Sequence, residues 1–130
     1  MIKVAVDTNI LVSAFLVAES NPARLLDMVL SGSILLCYDS RIMLEYKTVL
    51  FRLKFPFRKR DVQILLDTLM RIGLSVLAEP SEVQFSDVAD KKFFEAALSA
   101  GAYLITGNGK HYPEHRCVFS PAEFLERLMS

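Results

Sequence analysis

Short, unbroken apolar runs alternate with amphipathic segments along the chain, and this alternation limits the fold more than any other feature. The runs are Lys3-Val4-Ala5-Val6, Ile34-Leu35-Leu36-Cys37, Leu74 to Leu77, Tyr103-Leu104-Ile105 and Cys117-Val118-Phe119. A strand with one wet face alternates polar and apolar residues, whereas a strand that is apolar throughout is covered on both faces. Between the runs lie helical patterns with recognisable punctuation. Ile10 to Ala18 reads as a buried helix after the turn-and-cap cluster Asp7-Thr8-Asn9. Asn21-Pro22 opens a helix that runs to Leu30 before Gly32. Asp39-Ser40 caps a helix over 41–53, and 60–72 forms another, stopped by Gly73. Ser86-Asp87 caps a helix reaching Ala100, with Gly101 behind it, and Ser120-Pro121 starts a last one through Leu128. Helices alternating with two-sided strands predict an α/β chain: a small three-layer α/β/α sandwich around a five-stranded parallel sheet.

At 130 residues, without an internal repeat or linker, residues 1–130 are expected to form a single domain. A hydrophobic fraction of 52% excludes a disordered or low-complexity chain. Fifteen Lys and Arg against fifteen Asp and Glu exclude binding to nucleic acid by bulk charge. The charge is nevertheless segregated. Residues 41–60 carry seven basic residues and one acid, and residues 61–100 carry three basic residues and seven acids. Lys3 and Asp7 interrupt the first apolar residues, so no secretory signal is expected and no run spans a bilayer. Cys37 and Cys117 lie in apolar segments and read as small buried hydrophobes. The expected location is the cytoplasm.

Several acids stand where acids are costly. Asp7 directly follows the first strand, and Asn108 follows the fourth in Thr106-Gly107-Asn108-Gly109. Sites in open parallel sheets form at carboxyl ends of strands, so these groups share one crevice if strands one and four are neighbours. Glu45 stands three after Ile42 and four before Val49, bordering the inward stripe Ile42, Tyr46, Val49, Leu53. Asp90 precedes Phe93, Phe94 and Ala97 at helical spacing, on the apolar face of its own helix. Converging carboxylates near a core repel one another, and a divalent cation relieves that conflict. Mg²⁺ or Mn²⁺ suits such oxygen donors. Taken singly, each residue also has a structural reading: Asp7 as a helix cap, Asp90 as a partner of a helix dipole, Glu45 as a surface acid and Asn108 as a turn residue.

In these residues the chain resembles the PIN-domain nucleases, in particular the single-domain toxins of toxin–antitoxin pairs. Val4-Ala5-Val6-Asp7-Thr8-Asn9 is similar to the opening strand and first acid of that family. Glu45 in Met43-Leu44-Glu45-Tyr46 is similar to its second acid, and Asp90 before Phe93-Phe94-Glu95-Ala96-Ala97 to its third. Thr106-Gly107-Asn108 is similar to the Thr-x-Asp/Asn that closes the fourth strand. The resemblance implies strand order 3-2-1-4-5 and Mg²⁺- or Mn²⁺-dependent endoribonuclease activity. Asp7, Glu45, Asp90 and Asn108 would be the catalytic, metal-holding set, with Thr8, Asn9 and Thr106 orienting ligands or phosphate. It further implies an RNA substrate, an inhibitory antitoxin and a homodimer. The chain departs from the family pattern at Asn108, where many relatives carry Asp, and in the modest acidity of Ser86-Asp87-Val88-Ala89. These departures motivate an alternative: a weakly active or inactive PIN domain that binds RNA or protein. A phosphate-receiving signalling domain also has five strands with acids at their ends. It requires a second acid beside Asp7, where Val6 and Thr8 stand instead, and a Lys after the last strand, where Ser120-Pro121 stands.

Arg52, Lys54, Arg58, Lys59 and Arg60 interleave with Phe55 and Phe57. The segment reads either as an RNA contact, with bases stacked on rings, or as a solvated loop whose phenylalanines tuck under the core. His111 and His115 have a spacing seen among zinc ligands but lack a second pair. The apolar helices 10–18 and 21–30 supply core or a dimer face. With order 3-2-1-4-5, Cys37 and Cys117 stand about 14 Å apart, too far for a disulfide.

Overall fold

The structure, a computed structural model, describes residues 1–52, 54–113 and 115–129. Five strands form one sheet: β1 (Lys3–Val6), β2 (Leu35–Tyr38), β3 (Leu74–Ser75), β4 (Tyr103–Ile105) and β5 (Val118–Phe119). All pairings are parallel and the order is β3-β2-β1-β4-β5. The helices are α1 (Thr8–Leu16), α2 (Asn21–Ser31), α3 (Ser40–Leu50), α4 (Lys59–Ile72), α5 (Lys91–Ala100) and α6 (Pro121–Met129). Val6 and Leu36 face Ile10, Leu25, Val29 and Leu69, so α1, α2 and α4 cover one side of the sheet. The order reverses between β1 and β4. A right-handed crossover from β3 to β4 therefore carries α5 to the other side, where it packs across β1, β2 and β4. The central strands are dry on both faces: Val4, Ala5, Cys37, Leu104 and Ile105 have no exposed surface. These are the residues whose unbroken apolar runs predict that position.

Several boundaries differ from the sequence expectation, each for a local reason. α1 begins at Thr8 rather than Ile10 because Asp7 itself is the cap, its Oδ1 accepting the Asn9 N–H. It ends at Leu16, where Ser20 caps the next helix by accepting the Ala23 N–H. α3 ends at Leu50, and Leu50 rather than Val49 continues the buried stripe after Ile42 and Tyr46. Leu53, the expected last member of that stripe, lies outside the described residues. β3 is shorter than expected, stopping at Ser75. The expected helix from Asp87 divides into a 3-10 turn, Val88–Asp90, capped by Asp87, and α5 proper. Asp90 therefore sits at the entry of α5, with helical dihedrals and a largely buried side chain. Gly101, in the left-handed region at φ 66, closes α5 as its sequence position predicts. Gly73 is required for a different reason. A Cβ there would lie 2.6 Å from the Leu69 carbonyl oxygen and 2.9 Å from the Tyr38 ring, in the tight passage from α4 to β3.

Cys37 and Cys117 are both free thiols, in keeping with their separation across the sheet. Among the described residues, no helix is long and apolar enough to cross a membrane.

Candidate active site at the head of strands one and four

The strand order reverses at β1 and β4, which is where such sheets open a crevice. Asp7 is fixed at that point from both sides. Its backbone N–H donates to the Ile105 carbonyl at 3.0 Å, locking the end of β1 to the end of β4. The residue is 5% exposed. Oδ2 accepts the Thr106 hydroxyl at 2.9 Å and the Tyr112 hydroxyl at 3.3 Å. Thr106 is itself oriented, because its Oγ1 accepts the Asn108 backbone N–H at 3.0 Å.

Glu45 reaches the same crevice from α3. The helix is anchored by Tyr46, fully buried, whose hydroxyl donates to the Val6 carbonyl one residue before Asp7. The Thr8 hydroxyl donates to Glu45 Oε2, and the Lys92 ammonium lies 2.7 Å from Oε1. Lys92 also donates to the Ala89 carbonyl and lies over the Phe93 ring.

Asp90 closes the third side. Its Oδ2 is buried and accepts no hydrogen bond of ordinary geometry, facing His111 Nδ1 at 3.4 Å. Burial, then the charges of Asp7 and Asp87, push the Asp90 carboxyl above its usual range, and His111 offsets this only in part. Burial likewise raises the Tyr112 phenol well above its ordinary value, with the charges of Asp7, Asp90 and Glu45 adding to it. Tyr112 thus stays a hydrogen-bond donor to Asp7.

The remaining predicted residues are placed differently. Asn9 and Asn108 are exposed, and the structure ties Asn108 to the site through its backbone N–H. Arg52, Lys54, Arg58, Lys59 and Arg60 are all exposed, while Phe55 and Phe57 pack inward. Phe57 packs against Phe15 in a tilted pair, ring centroids 4.9 Å apart, which seats this loop near the end of α1, about 12 Å along the helix from Asp7. Three participants are not evident in the sequence. Tyr112 lies in an aperiodic loop, Lys92 is one of an adjacent lysine pair, and Arg41 joins Asp39, the cap of α3, at 2.6 Å to Glu95 of α5 at 2.9 Å.

Among the described residues, no three Asp, Glu, His or Cys side chains stand ready-grouped around one metal position. Lys92 holds Glu45, and His111 faces Asp90. The donor chemistry nonetheless fits a hard divalent cation: the carboxylates offer oxygen only, and one buried oxygen of Asp90 is unsatisfied.

A family model described as PIN domain matches residues 3–110. The chain belongs to the PIN domain family. No curated protein sequence matches it. Among solved structures, this PIN domain is similar to a chain in the crystal structure of VapBC2 from Rickettsia felis bound to a DNA fragment from their promoter. The TM-score is 0.57 at 17% identity, covering 84% of this chain and 90% of that one. At that identity the likeness concerns the fold, whose strand order agrees with the order the PIN resemblance implies.

Proposed function

We propose that this PIN domain is a Mg²⁺- or Mn²⁺-dependent endoribonuclease and the toxin of a toxin–antitoxin pair. It would act in the cytoplasm as a homodimer held in check by an antitoxin. The observations that carry the reading are the place of Asp7 where the strand order reverses, the Thr8 hydroxyl that ties Glu45 to the same strand head, and a buried Asp90 oxygen left unsatisfied. Asp7, Glu45 and Asp90 would hold the cation, with Asn108 assisting. When bound, the cation supplies the Lewis acidity that phosphodiester hydrolysis needs.

The chain's own residues do the rest. Thr106 and Tyr112 fix the direction of Asp7 Oδ2, and Thr8 fixes Glu45. Asn9 stands exposed at the crevice edge, where it can meet phosphate. Arg52, Lys54, Arg58, Lys59 and Arg60 present a basic rim on which an RNA backbone can lie. Purified protein given a mixed RNA pool with Mg²⁺ or Mn²⁺ is expected to release fragments, and EDTA is expected to stop it.

A second reading, a PIN domain of little activity that binds RNA or protein, is favoured by one observation: the Lys92 ammonium already neutralises Glu45. RNA binding without cleavage in either metal would select it.

A further inference from the structure

A cleft of about 430 Å³ opens beside the site at the heads of β4 and β5. Its walls include Thr106, Gly107, Gly109, Lys110, Tyr112 and Phe119. Thr106 and Tyr112 are also the two side chains that donate to Asp7 Oδ2. Whatever fills the cleft is therefore separated from the catalytic carboxylate by a single layer of side chains.

The two glycines add a second argument. Neither has a positive φ, so the backbone there does not require glycine. A Cβ at Gly109 would meet nothing within 4 Å, and one at Gly107 only Ile10 Cδ1 at 4.0 Å. Their missing side chains leave open space at the mouth rather than serving a turn or a tight contact. Phe119 offers a half-buried aromatic wall, and Lys110 stands exposed at the rim. Glu123, also in the lining, turns its carboxylate onto the start of α6, where Oε1 accepts the Ser120 N–H at 2.9 Å. That bond favours the ionised form of Glu123, so the cleft carries one cation, Lys110, and one anion already engaged with the helix start.

Building on the ribonuclease reading, we propose that this cleft seats one nucleotide of the RNA strand, next to the cleaved phosphodiester. Its base lies against Phe119, its phosphate meets Lys110, and Tyr112 forms the wall toward Asp7. The volume falls within the roughly 300–1,000 Å³ of small-ligand sites. An aromatic face with a nearby cation is the usual provision for a single-stranded base and its phosphate. Tyr112 stands two residues beyond the region matched by the family model, so this wall belongs to the part of the chain that the match leaves out.

The test compares the unaltered protein with Lys110→Ala and Gly109→Leu, the second filling the mouth without backbone strain. Cleavage sites are mapped by sequencing on a pool of RNA with a randomised segment in Mn²⁺, and steady-state kinetics are read on one cleaved RNA. Both variants are expected to raise KM about tenfold with kcat within about twofold, and to weaken the base preference on one side of the cut. Unchanged KM and unchanged preference in both, with RNA still cleaved, overturn the seat and leave the ribonuclease reading standing. If the unaltered protein cleaves no RNA, the ribonuclease reading fails, and binding of a fluorescein-labelled single-stranded RNA in EDTA decides the seat. Binding about tenfold weaker in both variants supports it, and equal affinity in all three proteins overturns it.

Discussion

The Lys92 ammonium lies 2.7 Å from Glu45 Oε1, with its side chain only 13% exposed. A cation of the chain itself thus neutralises one of the three carboxylates proposed to hold a metal. A divalent ion entering the crevice meets that charge, and a unit charge a few Å away costs it on the order of 1 kcal/mol even at the dielectric of water. Lys92→Met is therefore expected to tighten Mn²⁺ binding about tenfold, measured by titration calorimetry. Unchanged or weaker binding would show that Lys92 does not compete with the ion.

Asp90 predicts a trade of stability for function. Burial and the neighbouring Asp7 and Asp87 charges raise its pKa in the folded protein. The associated stability is fully present below the unfolded pKa and is lost as pH rises through the higher folded one. At neutral pH the ionised group thus subtracts from stability. Asp90→Asn without metal is expected to raise Tm by about 3 °C near pH 7, the gain vanishing toward about pH 4. A lower Tm for the variant at neutral pH would contradict this reading.

Glu95 behaves in the opposite sense. Burial pushes its carboxyl up, but the Ser81 N–H at 2.6 Å and the Arg41 guanidinium prevail and hold it below its ordinary value. Its contribution is present above the unfolded pKa and fades as pH falls through the lower folded value. Because Arg41 also grips Asp39, the cap of α3, this network links the approach to Asp90 with the helix that carries Glu45. Glu95→Gln is expected to cost about 1–2 kcal/mol in urea unfolding near pH 7, and much less near pH 4. A penalty that does not change with pH would assign Glu95 a packing role only.

The legible parts of this site are those that follow from strand chemistry. Asp7 and Thr106 each end an unbroken apolar run, and the alternation of runs and helices points to parallel strands with a crevice at their heads. Glu45 is legible because helical spacing relates it to Ile42, and Ile42 is fully buried. Tyr112 is not legible, since its loop has no period and its partner Asp7 lies 105 residues earlier. Lys92 is hidden for a finer reason. The 3-10 turn Val88–Asp90 delays the start of α5, and only that phase decides which of Lys91 and Lys92 turns toward Glu45. In α3, the four-residue spacing from Ile42 and Tyr46 runs on to Leu50, which takes the buried place expected of Val49.

The central claim is tested most directly by the rate of RNA cleavage against Mn²⁺ concentration for the unaltered protein and for Asp7→Asn. Asp7 carries both hydroxyl bonds at the head of β1 and β4, and Asn keeps its size while removing the charge. The account predicts a saturable rise with Mn²⁺, its abolition by EDTA, and a loss of at least about 100-fold in Asp7→Asn with the fold intact. Cleavage that persists in EDTA, or an Asp7→Asn protein as fast as the parent, would contradict it.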